Sequence, residues 1–375
     1  MSDNLHNVDL NKPMGGKQSM DLFNYGFSPD TLQENTDGNI ARITAVHKER
    51  YGLVCEHGEC FGRLKSGIYY GSGLEEFPTT GDFVCIQYNP DGDSLILKTL
   101  PRKSKFSRNN FSGHAAGYVK TVLEQVVAAN FDYVFVMASL NKDFNLKRIE
   151  RYLTLAWQSG AIPVVILTKA DLVDDYQEQL QAVEKVAAGV DVFAVSAKNG
   201  FGLDSLSACL KPGKTIVFLG SSGVGKSSLV NALAREELMT VSHIREDDSR
   251  GRHTTTHRQL ILLKSGVMII DTPGMRELGM WDADTGITEA FSDVEQYLGH
   301  CRFADCSHRT EPGCAVKAAI DSGELSLDRW NSYIGLKRET KFSDDKAGYL
   351  RQKEKFGKNI AMWNKQKKRM DKSPF

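Results

Sequence analysis

Apolar and polar positions change rhythm twice along this chain. Between residues 118 and 285, short apolar runs alternate with segments of helical period. Tyr133–Ala138 is a continuous apolar run, and Leu146, Ile149, Leu153 and Ala156 then recur at helical spacing over 146–159. The runs Val164–Leu167 and Val192–Val195 flank a second helical segment over 176–187. Lys214–Leu219 precedes a helix entered near Ser228, and Val267–Ile270 closes the series. Such alternation predicts a parallel sheet covered by helices. Upstream, the runs Ile40–Val46, Gly52–Cys55, Cys60–Leu64, Phe83–Tyr88 and Ser94–Leu100 are short and separated by turn-rich breaks. Five such strands predict a small β-barrel of the OB type over residues 39–100. Residues 1–38 are polar and predict a mobile arm, with a short element near Met20–Tyr25. Near the other end, Phe356, Ile360 and Trp363 recur at helical spacing.

The chemistry sits at the ends of the apolar runs. Gly220-Ser-Ser-Gly-Val-Gly-Lys-Ser227 follows a predicted strand and opens a predicted helix. Strand, glycine loop and helix N-terminus in that order form an anion site, with loop N–H groups and the helix dipole facing phosphate. Gly220, Ser221, Ser222, Gly223, Val224 and Gly225 would cradle phosphate. Lys226 would reach the β- and γ-phosphates, Ser227 would ligate Mg²⁺, and Ser228 would follow on the helix. An ordinary Gly/Ser turn is the bland alternative, and strand, helix and Gly-Lys-Ser together argue against it.

Three further stretches select GTP over ATP. Asp271-Thr-Pro-Gly274 ends an apolar run, which suits Asp271 as a Mg²⁺ ligand and Gly274 as a γ-phosphate contact. Thr168-Lys-Ala-Asp171 ends another: Asp171 can accept from guanine N1–H and the 2-amino group, a donor pair adenine lacks. Lys169 can lie along the base plane, with Ala170 between. In Ser196-Ala-Lys198 the Ala197 N–H can meet guanine O6. Each is placed where open α/β sheets bind ligands. The order is unusual, because the base-reading stretches precede the phosphate loop. That is a circular permutation, tolerated where the termini of a compact domain lie close together.

Residues 241–259 are polar, without periodicity, and hold Arg250, Arg252, His253, three threonines and His257, as a switch segment would. In residues 286–335, Cys301, Cys306, His308 and Cys314 offer three thiols and an imidazole, a set suited to one structural Zn²⁺. Cysteines packed as small hydrophobes are the alternative, and His300 is a spare ligand.

Composition sharpens the picture in three ways. The net charge is zero, but from Lys337 onward 13 Lys/Arg face 5 Asp/Glu, so the tail carries +8 and the rest about −8. Lys365, Lys367, Lys368 and Arg369 in the tail are candidate RNA contacts, as are His47, Lys48, Arg50, Arg63 and Lys65 on the barrel and Arg102 and Lys103 in a basic linker over 101–117. Solvated charge is the alternative at each. Seven cysteines at irregular spacing argue against a disulfide framework. No apolar run approaches the ~20 residues of a membrane span, and no signal peptide is visible, so a cytoplasmic monomer without membrane contact is expected.

These motifs and their order resemble the circularly permuted, small-ribosomal-subunit-dependent GTPase family (RsgA, also called YjeQ or EngC), over roughly residues 39–370. The fold implied is a multidomain α/β protein. An OB-type barrel (39–100) and the linker lead to a permuted P-loop GTPase domain (118–285), a zinc-binding segment (286–335) and a basic helical tail (336–375). The resemblance implies GTP hydrolysis to GDP in late small-subunit maturation, contact with rRNA, a Zn²⁺ held by the four ligands above, and a Mg²⁺-binding threonine among Thr254, Thr255 and Thr256, of which Thr255 is favoured. Thr168 stands where these GTPases usually have Asn, which predicts a looser loop network. Met275 stands where many GTPases place a water-orienting Gln, so the water-activating group is expected elsewhere: His253 first, with Lys226 on the phosphates, and His257 or a group donated by rRNA as the alternatives. The competing reading is a nucleotide-regulated RNA-binding module in which hydrolysis is incidental.

Overall fold

The computed structural model describes residues 20–29, 38–47, 50–65, 67, 74–111, 122–141, 143–239, 258–271 and 283–344. Strands β1 (Asn39–Val46), β2 (Tyr51–Cys55), β3 (Gly58–Leu64), β4 (Phe83–Gln87) and β5 (Ser94–Thr99) make the predicted barrel. β1 pairs antiparallel with β2 and β4, β2 with β3, and β4 with β5, while β3 and β5 run parallel and complete the closure. Closure removes free sheet edges. Ala41, Ile43, Leu53, Cys55, Val84, Ile86 and Ile96 fill the interior.

Part of the stretch expected to be a basic linker, residues 105–111, is a strand. β6 (Lys105–Phe111) pairs antiparallel with β7 (Val122–Ala129) in a separate two-stranded ribbon. Phe106 stacks on Phe131 with ring centroids 4.8 Å apart, so the ribbon is anchored to the next domain.

The sheet of the nucleotide domain follows. It uses β8 (Tyr133–Ser139), helix α1 (Leu146–Gln158), β9 (Ile162–Thr168), helix α2 (Gln177–Val186), β10 (Asp191–Ala194), β11 (Thr215–Gly220), helix α3 (Lys226–Ala234), β12 (Gln259–Leu262) and β13 (Met268–Asp271). Its order is β10-β9-β8-β11-β13-β12, with the first five parallel and β12 antiparallel to β13. β12 was not expected: Gln259 looked like the end of an unpatterned stretch. β12 then pairs with β1 at Ala45 and Gln259, so barrel and nucleotide sheet are hydrogen-bonded to each other.

Arg42 holds this junction. It lies on β1 between the inward-facing Ala41 and Ile43, so period-two alternation turns it out of the barrel. It is only 1% exposed. Its guanidinium donates to the carbonyls of Tyr25, Gly81 and Asn130 and to Thr215 Oγ1, and its Cζ lies 4.9 Å from the Phe83 ring centroid. Burial lowers its pKa to about 10, against the pull of Asp132 and Asp82.

Downstream come α4 (Asp284–Ala290), α5 (Ser292–Glu295), α6 (Ala315–Ser322) and α7 (Leu327–Asp344). Helix α7 carries the chain from the cysteine-bearing segment into the basic tail. Arg329 of α7 is buried against α1. It donates to Glu150 Oε1 at 2.7 Å, to Asp293 Oδ2 and Oδ1 at 3.0 and 2.9 Å, and to the Ala290 carbonyl at 2.6 Å. Its Cζ sits 3.9 Å from the Phe291 ring centroid. No helix among the described residues is long and apolar enough to cross a membrane.

Candidate nucleotide site and metal cluster

β11 ends at Gly220 and α3 begins at Lys226, so the glycine loop joins a strand to a helix as its spacing requires. Gly223 and Gly225 have φ of 73° and 105°, a left-handed backbone that favours glycine. Gly220 is constrained differently: a Cβ there would meet Val224 Cγ1 at 3.0 Å and the Met137 carbonyl at 3.1 Å. Ser222 and Gly223 are exposed at the tip, while Ser227 and Ser228 are half-buried on the first turn of α3.

The base-reading stretches meet the loop. Thr168 closes β9, and its hydroxyl donates to the Val224 carbonyl at 2.5 Å. The expected loosening at this position is therefore not found: the shorter hydroxyl still ties the base stretch to the phosphate loop. Lys169 has a φ of 62° and leads into the turn that holds Ala170, Asp171 and Leu172. A left-handed lysine is sparsely populated backbone, as is common in ligand clamps. Ser196 Oγ donates to Asp171 Oδ1 at 2.7 Å, and Lys198 Nζ lies 4.0 Å from Oδ2. Asp171 itself lines the cavity beside these residues. Thr168, Asp171, Leu172, Ala197, Lys198 and Gly225 line a cavity of about 230 Å³. That is below the ~300–1,000 Å³ of sites enclosing a whole drug-sized ligand, as suits a pocket that takes one end of a ligand.

Asp271 ends β13, is 4% exposed, and pairs with Lys226 Nζ. One residue that sequence reasoning missed is Asp143. Its Oδ2 accepts from Ser221 Oγ at 2.9 Å and pairs with Arg148 Nη1 at 3.0 Å, tying the loop to the start of α1. Burial pushes the Asp143 carboxyl up, but the Ser221 and Arg148 hydrogen bonds outweigh it and hold the pKa below its usual value. The readable signal was Asn145, which caps α1 by accepting from the Arg148 N–H and so fixes where that helix begins. Gly274, His253, Thr254, Thr255, Thr256, His257 and Met275 lie outside the described residues.

The four metal-ligand candidates converge. The donor atoms of Cys301, Cys306, His308 and Cys314 all lie within 4.8 Å of one another. His308 Nδ1 is 3.4 Å from Cys301 Sγ and 3.5 Å from Cys314 Sγ, and the two sulfurs are 3.9 Å apart. A tetrahedron with Zn–S near ~2.3 Å and Zn–N near ~2.0 Å has edges close to these lengths. The donors are also oriented: the Ala315 N–H points at Cys301 Sγ and the Lys317 N–H at Cys314 Sγ, at 3.4 and 3.5 Å, so the start of α6 faces the thiolates. Trp330 packs edge-on against the His308 ring at 5.5 Å.

The candidate RNA contacts divide. Arg63 on β3 is 60% exposed on its side chain and shares Asp93 with Arg50, at 2.5 Å and 2.7 Å. Arg50 also lies over the Phe61 ring at 4.0 Å. Lys103 pairs with Asp132 at 2.9 Å and stays half-exposed, and Lys65 is exposed. Arg102 is corrected. Its side chain is 13% exposed and grips the fully buried Asp82, with further donation to the Glu75 and Phe77 carbonyls. It is a structural ion pair, not a surface cation. Lys48, Lys365, Lys367, Lys368 and Arg369 lie outside the described residues.

A parallel sheet whose candidate base-reading stretches precede its phosphate loop, with both at the C-terminal strand ends, has the arrangement of a circularly permuted GTPase. Comparison with known proteins agrees. A sequence model of the family described as RsgA GTPase matches residues 99–281. The chain is 46% identical over 322 residues to a Listeria monocytogenes protein named small ribosomal subunit biogenesis GTPase RsgA 2, covering 85% of this chain and 89% of that one. It is 50% identical over 264 residues to the RsgA of Streptomyces avermitilis, covering 69% of each. Among solved structures, YjeQ from Thermotoga maritima aligns with a TM-score of 0.58 at 25% identity, over 80% of this chain and 96% of that one. YloQ, titled a circularly permuted GTPase, aligns at 0.54 and 25% identity, over 83% and 97%. The chain belongs to the RsgA GTPase family and is a GTP hydrolase.

Proposed function

We propose that this GTPase acts in biogenesis of the small ribosomal subunit, binding the subunit and its rRNA with GTP and leaving after hydrolysis to GDP. The observation that carries this is the convergence of Thr168–Asp171, Ser196–Lys198 and the phosphate loop around one cavity, in a chain whose relatives bear that name. Asp171 Oδ2 reads the base, and Ser196 holds the other carboxylate oxygen so that Oδ2 stays turned inward. Loop N–H groups and Lys226 carry phosphate charge. Mg²⁺ held by Ser227, Thr255 and Asp271 would neutralise charge on the β- and γ-oxygens. His253 orients the attacking water in line with the scissile bond, because Met275 offers it no hydrogen bond. Arg63, Lys103 and the cationic tail contact rRNA phosphate, which adds affinity without reading sequence. The protein works as a cytoplasmic monomer.

Turnover with and without purified small subunits tests this. The chain alone should hydrolyse GTP slowly, and subunits should raise kcat at least about 10-fold, a modest share of the 10³–10⁵ that a supplied catalytic group contributes elsewhere. His253→Ala should remove that stimulation while keeping GTP affinity. An unstimulated wild type would favour the RNA-binding module with incidental hydrolysis.

The Cys301, Cys306, His308 and Cys314 cluster holds one structural Zn²⁺ in this proposal. Elemental analysis of protein purified without added metal should give one zinc per chain. Cys306→Ala should lower that content and expose α6 and α7 to protease. A fully folded, metal-free wild type would refute the assignment.

A further inference from the structure

We propose that Thr168 leaves guanine N7 unread, so that this site takes 7-deazaguanine nucleotides as tightly as guanine nucleotides. The inference rests on the nucleotide-site reading above. Two observations carry it: where Thr168 stands, and what its hydroxyl already holds.

Guanine presents, in order round the ring, a 2-amino group, N1–H, O6 and N7. In the reading above Asp171 accepts from the 2-amino group and N1–H, and the Ala197 N–H meets O6. N7 comes next, and it is an acceptor, so only a donor can read it. Thr168 stands at that place. Leu167 pairs with Ala194 across β9 and β10, so Thr168 is level with Val195, beside the strand end that leads to Ala197. On its other side Thr168 meets the phosphate loop at Val224. It therefore lies between the stretch that meets O6 and the loop that takes phosphate, and it lines the cavity they share. Lys198 Nζ lies near Asp171 Oδ2, on the N1–H side of the base.

The Thr168 hydroxyl has one proton. Its Oγ1 is 2.5 Å from the Val224 carbonyl oxygen and 3.3 Å from that of Ala138. Both neighbours are acceptors, so the proton is claimed whichever way the hydroxyl turns. A Cβ on Gly225 would come within 3.7 Å of Oγ1, so the hydroxyl sits close under the loop. The other substituent on Cβ is a methyl group, which donates nothing. Thr168 can therefore turn only a methyl or an oxygen lone pair to N7. Asn would differ, because its amide nitrogen carries two protons. One can hold the Val224 carbonyl while the other reaches N7. Threonine keeps the tie between base stretch and phosphate loop and gives up the contact with N7. Selection against adenine is untouched, since it rests on Asp171.

The test is competition of GDP and 7-deaza-GDP against fluorescent N-methylanthraniloyl-GDP in Mg²⁺. 7-Deaza-GDP carries C–H in place of N7 and keeps every other hydrogen-bonding group. Wild type should bind the two within about twofold, less than one hydrogen bond contributes. Thr168→Asn should prefer GDP by at least about fivefold, the factor of one neutral hydrogen bond. Thr168→Ser should keep the ratio near one, which separates the donor count from side-chain size. The wild-type arm needs no variant to fold. A wild type that prefers GDP by about fivefold or more would overturn the proposal, and loss of that preference in Ser228→Ala would assign N7 to the other hydroxyl lining the cavity. Equal binding of the two nucleotides by Thr168→Asn would also overturn it. Wild type that binds neither nucleotide would instead overturn the nucleotide-site reading.

Discussion

Asp171→Asn should weaken GTP binding by at least about 100-fold, because hydrogen bonds to a charged partner contribute roughly 1.5–3 kcal/mol each and guanine offers Asp171 two. The structure sharpens the expectation. Ser196 Oγ donates to Oδ1 at 2.7 Å, and an Asn oxygen can accept that bond unchanged. The amide nitrogen is then fixed at the cavity side, where it faces guanine N1–H and the 2-amino group donor to donor. Xanthine carries an oxo group in place of the 2-amino group, so the variant should regain xanthosine triphosphate affinity. Ser196→Ala should blunt that regain, since the amide is no longer held one way round. Titration of wild type and both variants with the two nucleotides reads all of this. Unchanged GTP affinity in Asp171→Asn would show that Asp171 does not read the base.

Arg329→Met should detach the cysteine-bearing helices from the nucleotide domain. Arg329 is 7% exposed, and Glu150 on α1, at 3%, depends on it. Removing one partner of a buried ion pair leaves an uncompensated charge and costs about 3–5 kcal/mol. The stacking on Phe291 and the two bonds to Asp293 are lost as well. The expected result is a lower unfolding midpoint for the C-terminal helices and faster tryptic cleavage at Lys317 in α6 and Lys337 in α7, with GTP affinity nearly unchanged. Pairing the change with Glu150→Gln should recover part of the loss, because no charge is then stranded. If the single variant melts and digests like wild type, the ion pair is not what docks this segment.

Much of this was legible in the chain. The helices stood out because each keeps a helical period, and the strands because they are short apolar runs bounded by turn-rich breaks. The convergence of the candidate nucleotide site was legible because the chemistry proposed for it needs fixed residue types at fixed spacing: Gly223 and Gly225 take the left-handed path expected of them, and Asp171 lines the cavity where a two-donor base would sit. The metal cluster was legible for the same reason. What stayed hidden depends on partners far apart in sequence. Arg102 reads as one basic residue among several in Arg102-Lys-Ser-Lys105, and only the fold shows Asp82 beneath it. Strand β6 was masked by that same charge. Thr168 looked like a loss because its partner, the Val224 carbonyl, lies 56 residues away. Arg42, between Ala41 and Ile43, and Arg329, between Asp328 and Trp330, carry no local signal: each becomes a junction only when the acceptors around it are assembled.

The central claim is that stretches out of their usual chain order still build one guanine-reading, phosphate-binding site. The most direct measurement is a side-by-side titration of the wild-type protein with GTP and ATP in the presence of Mg²⁺. Tight GTP binding, with ATP weaker by at least about 100-fold, is the predicted result, since adenine leaves the Asp171 carboxylate with no donor pair. Equal affinity for the two nucleotides would contradict it.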